Sequence, residues 1–491
     1  MKKLFTIPAL LCLSVFLSAQ SIEDKLVDRL VEYASIYTQS EYDVDTVPST
    51  EEQRVLATIL AEELIRLGIS EDDVNIDEHS ILTATIKGNV RNAPTVFISA
   101  HLDTSPDLDL QGKAPIPVVH DYYGGNLKIN DDLTLTQEKN EFLKDAVGGK
   151  VITSDGTTLL GGDDKAGMAV VMTLAETFLQ NPSIPHGDIR IIFTPDEEIG
   201  NSTKYLTKEK INADFGLVLD SHGFGRIVVE NFNATDFTYT VKTPPAGHPG
   251  YSSNVPALNI ANDFVARFPE DLAAFNSSGK EGYIGYHKVQ KQNDNEYIVY
   301  GRLRSFDLNE MSRYKNKLKK WAKKTAKKYD MDYTEINNGD TISNGGGGAA
   351  AAVLNIKDSY FNSKEVLKNY PTNYKLIVKA YENAGVQMRA ESGRGGSDAG
   401  DITYLGIPTY NMFAGSHNEH SQDEWVSSKQ MLASYNVALN YLKFMGEQDR
   451  DTLIQEGQGY NEVITPVKSL DFLIKSIYNK VSNKYGNSFS N

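Results

Sequence analysis

Histidine and acidic residues recur in short groups along this 491-residue chain, at the ends of apolar runs or at the start of a helical stretch. The groups, in chain order, are His101-Leu-Asp103, Gly161-Gly-Asp163-Asp164, Asp196-Glu197-Glu198, Asp220-Ser-His222 and His417-Asn-Glu-His420. Carboxylates packed close together repel one another unless cations neutralise them. Imidazole and carboxylate ligands without a thiol suit zinc, or cobalt or manganese. The number of acidic residues favours two metal ions over one; the alternative is a set of solvated acidic loops.

The elements around these groups predict an α/β sheet. Short apolar runs at 95–99, 189–193 and 217–219 alternate with helical stretches such as 166–179. Such alternation is typical of a mostly parallel sheet, and sites in such sheets form at the carboxyl ends of the strands. The five groups are therefore expected to meet at one edge of the sheet.

A second pattern interrupts the first between residues 233 and 344. Strand-like runs and two helices follow one another there in the order βαββαβ, which is that of a small ferredoxin-like domain. The expected fold class is α/β, with a mixed-sheet catalytic domain and an inserted ferredoxin-like lid domain. The expected segments are a signal peptide at 1–20, a catalytic domain at 21–232 and 359–446, the inserted lid or dimerisation domain at 233–344, a Gly/Ala-rich connection at 345–358, and a C-terminal extension with a helix at 447–491.

Two local patterns predict helix positions. Ser49-Thr-Glu-Glu52 has the form of a capping box, which predicts the start of the second of two helices within 21–68. The C-terminal extension has one apolar stripe at helical spacing, formed by Leu470, Leu473, Ile474, Ile477 and Val481. Packing against the main domain would bury this stripe, and docking of a partner is the alternative.

Composition and the N-terminus restrict partners and location. Asp and Glu number 65 against 49 Lys and Arg, which gives a net charge of -16 and disfavours nonspecific nucleic-acid binding. The one cysteine, Cys12, allows no disulfide within the chain. Lys2 and Lys3 precede an apolar run and a small-residue exit, which is typical of a secretory signal peptide rather than a core helix. We expect an exported protein, periplasmic or secreted, with no membrane segment in its mature form.

Several motifs in the same order resemble those of the peptidase T family, the aminotripeptidase branch of the di-zinc aminopeptidase and aminoacylase superfamily. The matching motifs are Val47-Pro-Ser-Thr-Glu51, Ser99-Ala-His-Leu-Asp-Thr-Ser-Pro106, Thr157-Thr-Leu-Leu-Gly-Gly-Asp-Asp-Lys-Ala-Gly167, Ile184-Pro-His-Gly-Asp188, Phe193-Thr-Pro-Asp-Glu-Glu198, Glu230-Asn-Phe-Asn233, Gly247-His-Pro-Gly250 and Arg394-Gly-Gly396. The resemblance extends from about residue 21 to 444. One departure lies after Asp220, where the family has a glycine run and this chain has Ser221-His222-Gly223.

The resemblance implies two Zn²⁺ ions per chain, with Co²⁺ or Mn²⁺ as alternatives. It implies that His101 and Asp220 bind one ion, that Glu198 and His420 bind the other, and that Asp163 bridges both. It also implies a cis peptide bond between Asp163 and Asp164.

The resemblance also implies the roles of four further residues. Glu197 would be the general base, and Asp103 would orient the imidazole of His101. His248 would reach the oxyanion when the inserted domain closes, although a turn histidine is the alternative. Arg394 would bind the terminal carboxylate of the substrate, and the alternative is an arginine paired with Asp398.

The function expected from these motifs is removal of the N-terminal residue from short peptides, principally tripeptides. A dipeptidase or an N-acyl amino acid hydrolase could use the same metal site. A noncatalytic peptide-binding protein is disfavoured, because Glu197 and all five ligand positions are intact. The expected partner is a short peptide, and the sequence leaves a homodimer open.

Overall fold

The computed structural model describes residues 20–110, 112–245, 254–343 and 350–461. The α-helices are α1 (Ile22–Ala34), α2 (Glu52–Leu67), α3 (Gly162–Gln180), α4 (Lys208–Ile211), α5 (Ala257–Val265), α6 (Leu308–Lys328), α7 (Lys364–Leu367), α8 (Pro371–Ala384), α9 (Asp398–Tyr404), α10 (Ser428–Gly446) and α11 (Arg450–Asn461). Short 3₁₀ turns occupy Glu71–Asp73, Glu141–Ala146, Glu270–Leu272 and Ala274–Asn276.

The strands belong to several sheets. They are β1 (Val74–Ile76), β2 (Leu82–Ile86), β3 (Val96–His101), β4 (Val118–Tyr122), β5 (Leu127–Lys128), β6 (Thr134–Leu135), β7 (Gly149–Thr153), β8 (Ile189–Thr194), β9 (Phe215–Ser221), β10 (Arg226–Asn231), β11 (Asn233–Lys242), β12 (Tyr283–Asn293), β13 (Glu296–Ser305), β14 (Asp332–Asn337), β15 (Asp340–Ser343), β16 (Ala351–Tyr360), β17 (Arg389–Gly393), β18 (Thr409–Phe413), β19 (Ser416–His417) and β20 (Trp425–Ser427).

The catalytic domain is built on an eight-stranded mixed sheet in the order β1-β2-β8-β3-β9-β18-β10-β17. Its centre is parallel: β3 pairs in parallel with β8 on one side and β9 on the other. Every residue of β3 is buried, which explains why this strand is a continuous apolar run rather than an alternating one. Because β3 is parallel to both neighbours, the carboxyl ends of β8, β3 and β9 lie side by side at one edge. Helices α1, α3 and α10 pack together, and α3 packs on β3 and β9.

The inserted domain has its own six-stranded sheet, in the order β12-β13-β11-β16-β14-β15. Helices α5 and α6 pack on this sheet and enclose a separate core that includes Tyr239, Phe264 and Leu318. The expected fold class, an α/β catalytic domain with an inserted ferredoxin-like domain, is confirmed. Two strands, β15 and β16, extend the expected βαββαβ unit.

The proposed Gly/Ala-rich connection at 345–358 is wrong over most of its length. Strand β16 begins at Ala351 and pairs antiparallel with β11 and parallel with β14. Ala352, Leu354 and Ile356 alternate with more exposed residues and are fully buried, so the alternation was a strand signal that the low-complexity composition obscured. The six-stranded sheet therefore extends to residue 360 rather than ending at 344, and residues 344–349 lie outside the described residues.

The expected capping box at the start of α2 is also wrong. Helix α2 begins at Glu52, and its N-cap, Glu51, makes no capping hydrogen bond. Ser49 instead donates its backbone N–H (2.7 Å) and its hydroxyl (2.6 Å) to the carboxylate of Asp196. Because Asp196 immediately precedes Glu197, these bonds attach the turn after β8 to the start of α2.

Both chain ends extend beyond the described residues. The proposed signal peptide lies outside them apart from Gln20, and so does the apolar stripe at 470–481. The described part of the extension contains α11, whose Leu453 is buried in the main core. Among the described helices, none combines the length and the apolar character needed to cross a membrane.

Candidate active site

Five segments of the catalytic domain bring the expected metal-binding residues to one edge of the central sheet. His101 is the last residue of β3, and Asp220 lies near the end of the neighbouring β9. Glu198 follows β8, and Asp163 lies in the first turn of α3. His420 comes from the loop between β19 and β20. The parallel register of β8, β3 and β9 is the reason that residues distant in sequence meet here.

The side chains form two ligand groups that share Asp163. In the first group, Nε2 of His101 lies 3.0 Å from Oδ1 of Asp163 and 3.7 Å from Oδ1 of Asp220. In the second, Nε2 of His420 lies 2.8 Å from Oε2 of Glu198 and 3.6 Å from Oδ2 of Asp163. Each oxygen of Asp163 therefore faces a different group, which is the geometry of a carboxylate that bridges two ions.

Each of the two imidazoles has a carboxylate at its other nitrogen. Nδ1 of His101 lies 3.3 Å from Oδ1 of Asp103, and Nδ1 of His420 lies 2.8 Å from Oδ2 of Asp107. The hydrogen bond between His420 and Asp107 fixes the tautomer that leaves Nε2 of His420 free to bind a metal, whereas Asp103 lies beside Nδ1 of His101 as an ion-pair contact without a hydrogen bond. The sequence analysis singled out Asp103 but missed Asp107, whose pairing depends on a loop far along the chain.

Asp103 also holds the turn after β8. Its two carboxylate oxygens accept the backbone N–H groups of Glu197 (3.0 Å) and Glu198 (3.1 Å). A single buried carboxylate thus contacts His101 and positions two residues of the neighbouring loop. Both oxygens are needed for this, so the site requires an acid at this position rather than an amide.

The sequence analysis also missed Glu424, which supports the loop that carries Asp163. The buried Glu424 carboxylate accepts backbone N–H groups from Leu160 (2.8 Å), Gly161 (2.7 Å) and Asp163 (2.9 Å). The peptide bond between Asp163 and Asp164 is cis, as the resemblance implied. No spacing in the sequence indicates that Glu424 lies beneath this loop, because the contact is set by β20 pairing with β7.

The crowding of acids changes their proton affinities. Burial and the charge of Asp163 raise the pKa of Glu198 to about 7 and that of Asp220 to about 6. Hydrogen bonds to Asp163 and Glu198 raise the pKa of His420 to about 12. Burial alone would raise the pKa of Asp163, but hydrogen bonds from His101 and His420 lower it below its usual range. The cluster therefore attracts positive charge strongly, which metal ions can supply in place of protons.

The donor set fits metal ions in a further respect. Among the described residues, Oε1 of Glu198 has no hydrogen-bond partner although it is buried. Leaving a buried carboxylate oxygen unpaired is costly, and a bound cation would satisfy it. Two nitrogen ligands and three carboxylates without sulfur match the preferences of zinc, cobalt and manganese.

Glu197 lies beside the two ligand groups. It lines a cavity of about 500 Å³ together with Asp163, Glu198, Asp220 and His420. Desolvation and the charges of Asp220 and Asp398 raise the pKa of Glu197 well above its usual value. A carboxylate with raised proton affinity next to a metal site is suited to accept a proton from water.

Arg394 also lines this cavity. Its Nη1 donates to the carbonyl oxygen of Gly279 (2.6 Å) and its Nη2 to the hydroxyl of Ser277 (2.6 Å), both in the inserted domain. The alternative in which Arg394 pairs with Asp398 is wrong: Asp398 accepts hydrogen bonds from Ser202 and Thr194. His248 lies outside the described residues, so its role stays a prediction.

A second set of polar contacts joins the two domains near Arg394. Glu230 is buried and accepts hydrogen bonds from Lys280 of the inserted domain, from Lys364 (3.0 Å) and from Ser392 (2.6 Å). Burial alone would raise the pKa of Glu230, but these bonds lower it to about 2. The carboxylate therefore stays charged and fixes the inserted domain beside the cavity.

Comparisons with known proteins agree with this arrangement. The model of peptidase family M20/M25/M40 matches residues 159–443. Proteins named peptidase T from Halothermothrix orenii and Geobacillus kaustophilus are 34% and 32% identical to this chain, and the matches cover 98% and 100% of their lengths and 85% and 87% of this chain. The chain belongs to the peptidase T branch of that family. The resemblance inferred from the sequence motifs is thereby confirmed.

The similarity to peptidase T extends to the fold. The crystal structure of aminopeptidase PepT from Bacillus cereus superposes with a TM-score of 0.63 at 22% identity, over 87% of this chain and 99% of that one. A tripeptidase from Staphylococcus aureus superposes with a TM-score of 0.61, also at 22% identity and over the same shares of the two chains. Both proteins share the architecture of a catalytic domain with an inserted domain.

The shared position of Asp163 predicts unequal effects of two ligand substitutions. Asp163→Ala removes an oxygen from both groups, so we expect loss of both bound ions, whereas His420→Ala removes a ligand from one group only and should spare the other ion. Metal content per chain, measured by plasma mass spectrometry after dialysis, checks this. Asp131→Ala is the control, since its carboxylate is 94% exposed. An Asp163→Ala protein that keeps two tightly bound ions would contradict the shared-ligand geometry.

Proposed function

We propose that this chain is a metal-dependent aminopeptidase that removes the N-terminal residue from short peptides, principally tripeptides. The observation that carries the proposal is the pair of ligand groups sharing Asp163 beside the acid Glu197. The names of its relatives, peptidase T and tripeptidase, support the same activity. A solved relative described as a dinuclear metal-binding peptidase supports two ions per chain.

We assign zinc as the metal, with cobalt and manganese as alternatives. His101 and Asp220 would hold one ion, Glu198 and His420 the other, and Asp163 both. Two bound ions would lower the pKa of a water molecule and polarise the scissile carbonyl group. Asp103 and Asp107 orient the two imidazoles and so keep Nε2 of each directed at its ion.

The chain's own residues would move the proton. Glu197 is placed to take a proton from the attacking water and to pass it to the leaving amine. The hydrogen bond from its backbone N–H to Asp103 and the bonds between Ser49 and Asp196 hold this turn in position. His248 would donate to the oxyanion from the inserted domain, as the resemblance implies.

Arg394 supports a preference for tripeptides. It lines the same cavity as the metal ligands, so a peptide bound there could place its scissile bond at the ligands and its terminal carboxylate at the guanidinium. Its guanidinium donates to carbonyl and hydroxyl oxygens of the segment 277–281. A carboxylate accepts such hydrogen bonds more strongly than a neutral oxygen does, so substrate would exchange with this segment for the guanidinium.

The main test is a length series of alanine peptides. We expect the tripeptide to have the highest kcat/KM, because a dipeptide leaves its carboxylate short of Arg394 and a tetrapeptide crowds it. Glu197→Gln is the matched control, expected to keep its metal ions but to lose roughly 10²–10⁴-fold in turnover. If the dipeptide is turned over fastest, the protein is a dipeptidase. If an N-acetylated substrate is turned over fastest, it is an N-acyl amino acid hydrolase. Binding of the peptides with no turnover would leave a noncatalytic peptide-binding protein.

We further propose that the protein is exported to the periplasm or secreted. The support is the N-terminal pattern of two lysines, an apolar run and the exit Ser18-Ala19-Gln20. The protein isolated from its native host should begin near Gln20 or Ser21, which N-terminal sequencing determines. An intact Met1 on protein from the cytoplasm would refute export.

A further inference from the structure

We propose that Arg226 binds a carboxylate of the substrate at the junction of two cavities beside the metal site. The inference rests on the proposed peptidase function and names a second substrate-binding residue. Arg226 begins β10, one turn after the ligand Asp220 at the end of β9. Its position was not indicated by any motif in the sequence.

Two cavities meet at this point. The first, of about 500 Å³, extends from the metal ligands to Arg394. The second, of about 310 Å³, has Phe142 and Trp425 in its walls. His222 and Arg226 line both cavities. His222 stands where the peptidase T resemblance has a glycine run, so this junction is built from side chains that the resemblance does not supply.

The guanidinium of Arg226 lies close to one acidic side chain among the described residues. Its Nε lies 3.1 Å from Oε2 of Glu391. The other oxygen of Glu391 lies 2.6 Å from Nη2 of Arg389, so two guanidinium groups share one carboxylate. Arg389 in turn lies over the ring of Phe142, 4.7 Å from its centre.

The Nη groups of Arg226 are available to a ligand. Among the described residues, neither Nη1 nor Nη2 of Arg226 has a hydrogen-bond partner, whereas both Nη groups of Arg394 donate to the segment 277–281. Two adjacent N–H donors on a planar cation match the two oxygens of a carboxylate. The ion pair with Glu391 restrains the side chain of Arg226, although its Nε makes no hydrogen bond within the described residues, so less side-chain entropy is lost on binding.

A tripeptide can offer this carboxylate from two sources. One is its C-terminus. The other is the side chain of an acidic first residue, which would reach the second cavity when the scissile carbonyl lies at the metal ligands and the chain runs toward Arg394. Both sources present the same planar, negatively charged group, and the substrates below distinguish them.

The test compares Arg226→Met with the unmodified enzyme on four peptides: Ala-Gly-Gly, its C-terminal amide, Glu-Gly-Gly and Gln-Gly-Gly. Lys128→Met is the matched control, since it removes one positive charge from an exposed side chain of β5. We expect kcat/KM to fall about 10- to 100-fold for peptides that carry the recognised carboxylate. A loss on Ala-Gly-Gly but not on its amide identifies the C-terminus and contradicts the assignment of that carboxylate to Arg394. A larger loss on Glu-Gly-Gly than on Gln-Gly-Gly identifies the acidic side chain.

Calorimetric binding of the same peptides to the Glu197→Gln protein, with and without Arg226→Met, separates this proposal from the peptidase assignment. If the unmodified enzyme cleaves none of the peptides, the proposed function fails, yet carboxylate-dependent binding through Arg226 still appears in the calorimeter. Equal losses on all four peptides, or no loss on any, overturn the role of Arg226. Arg226→Lys keeps the charge with one donor group, and an intermediate loss from it excludes misfolding as the cause.

Discussion

The mutual repulsion of buried carboxylates around Asp163 is the constraint on which the rest of the site depends. Parallel strands that end at one edge bring Glu198 and Asp220 to Asp163 at the start of α3, and the two imidazoles of the ligand groups, His101 and His420, offset part of their charge. The supporting residues add further acids, because Asp103, Asp107 and Glu424 orient the ligands as hydrogen-bond acceptors. The fold thus concentrates negative charge that favours the binding of cations, and the two ligand groups are placed to supply their ligands.

The inserted domain depends on a second group of charges at the junction of the two domains. Glu230 is held by Lys280 and Lys364, while Arg394 donates to the segment 277–281. These contacts fix one wall of the cavity that leads away from the metal ligands. The residue expected to recognise substrate is therefore also one that joins the domains, so peptide binding and domain position are coupled through the same guanidinium.

The sequence predicted those site residues whose type and immediate sequence neighbours were enough to indicate a metal ligand. Ligands such as His101 and Asp220 follow apolar strands directly, so both their type and their position indicated the site. Glu424 and Arg226 could not be found in this way, because their roles depend on pairing between β20 and β7 and on the meeting of two cavities. At 345–358 the low-complexity composition obscured the alternation of buried and exposed residues that marks β16. At Ser49 the capping-box pattern was misleading, because the hydroxyl donates a hydrogen bond to Asp196 instead of capping α2.

The central claim is that two metal ions share Asp163, and anomalous diffraction from crystals of the metal-loaded protein tests it most directly. Data collected on either side of the zinc absorption edge locate each ion independently of the protein model. The account predicts two peaks roughly 3.5–4 Å apart, one beside His101 and Asp220 and the other beside Glu198 and His420, with Asp163 between them. A single peak, or two peaks of which one lies away from Asp163, would contradict it.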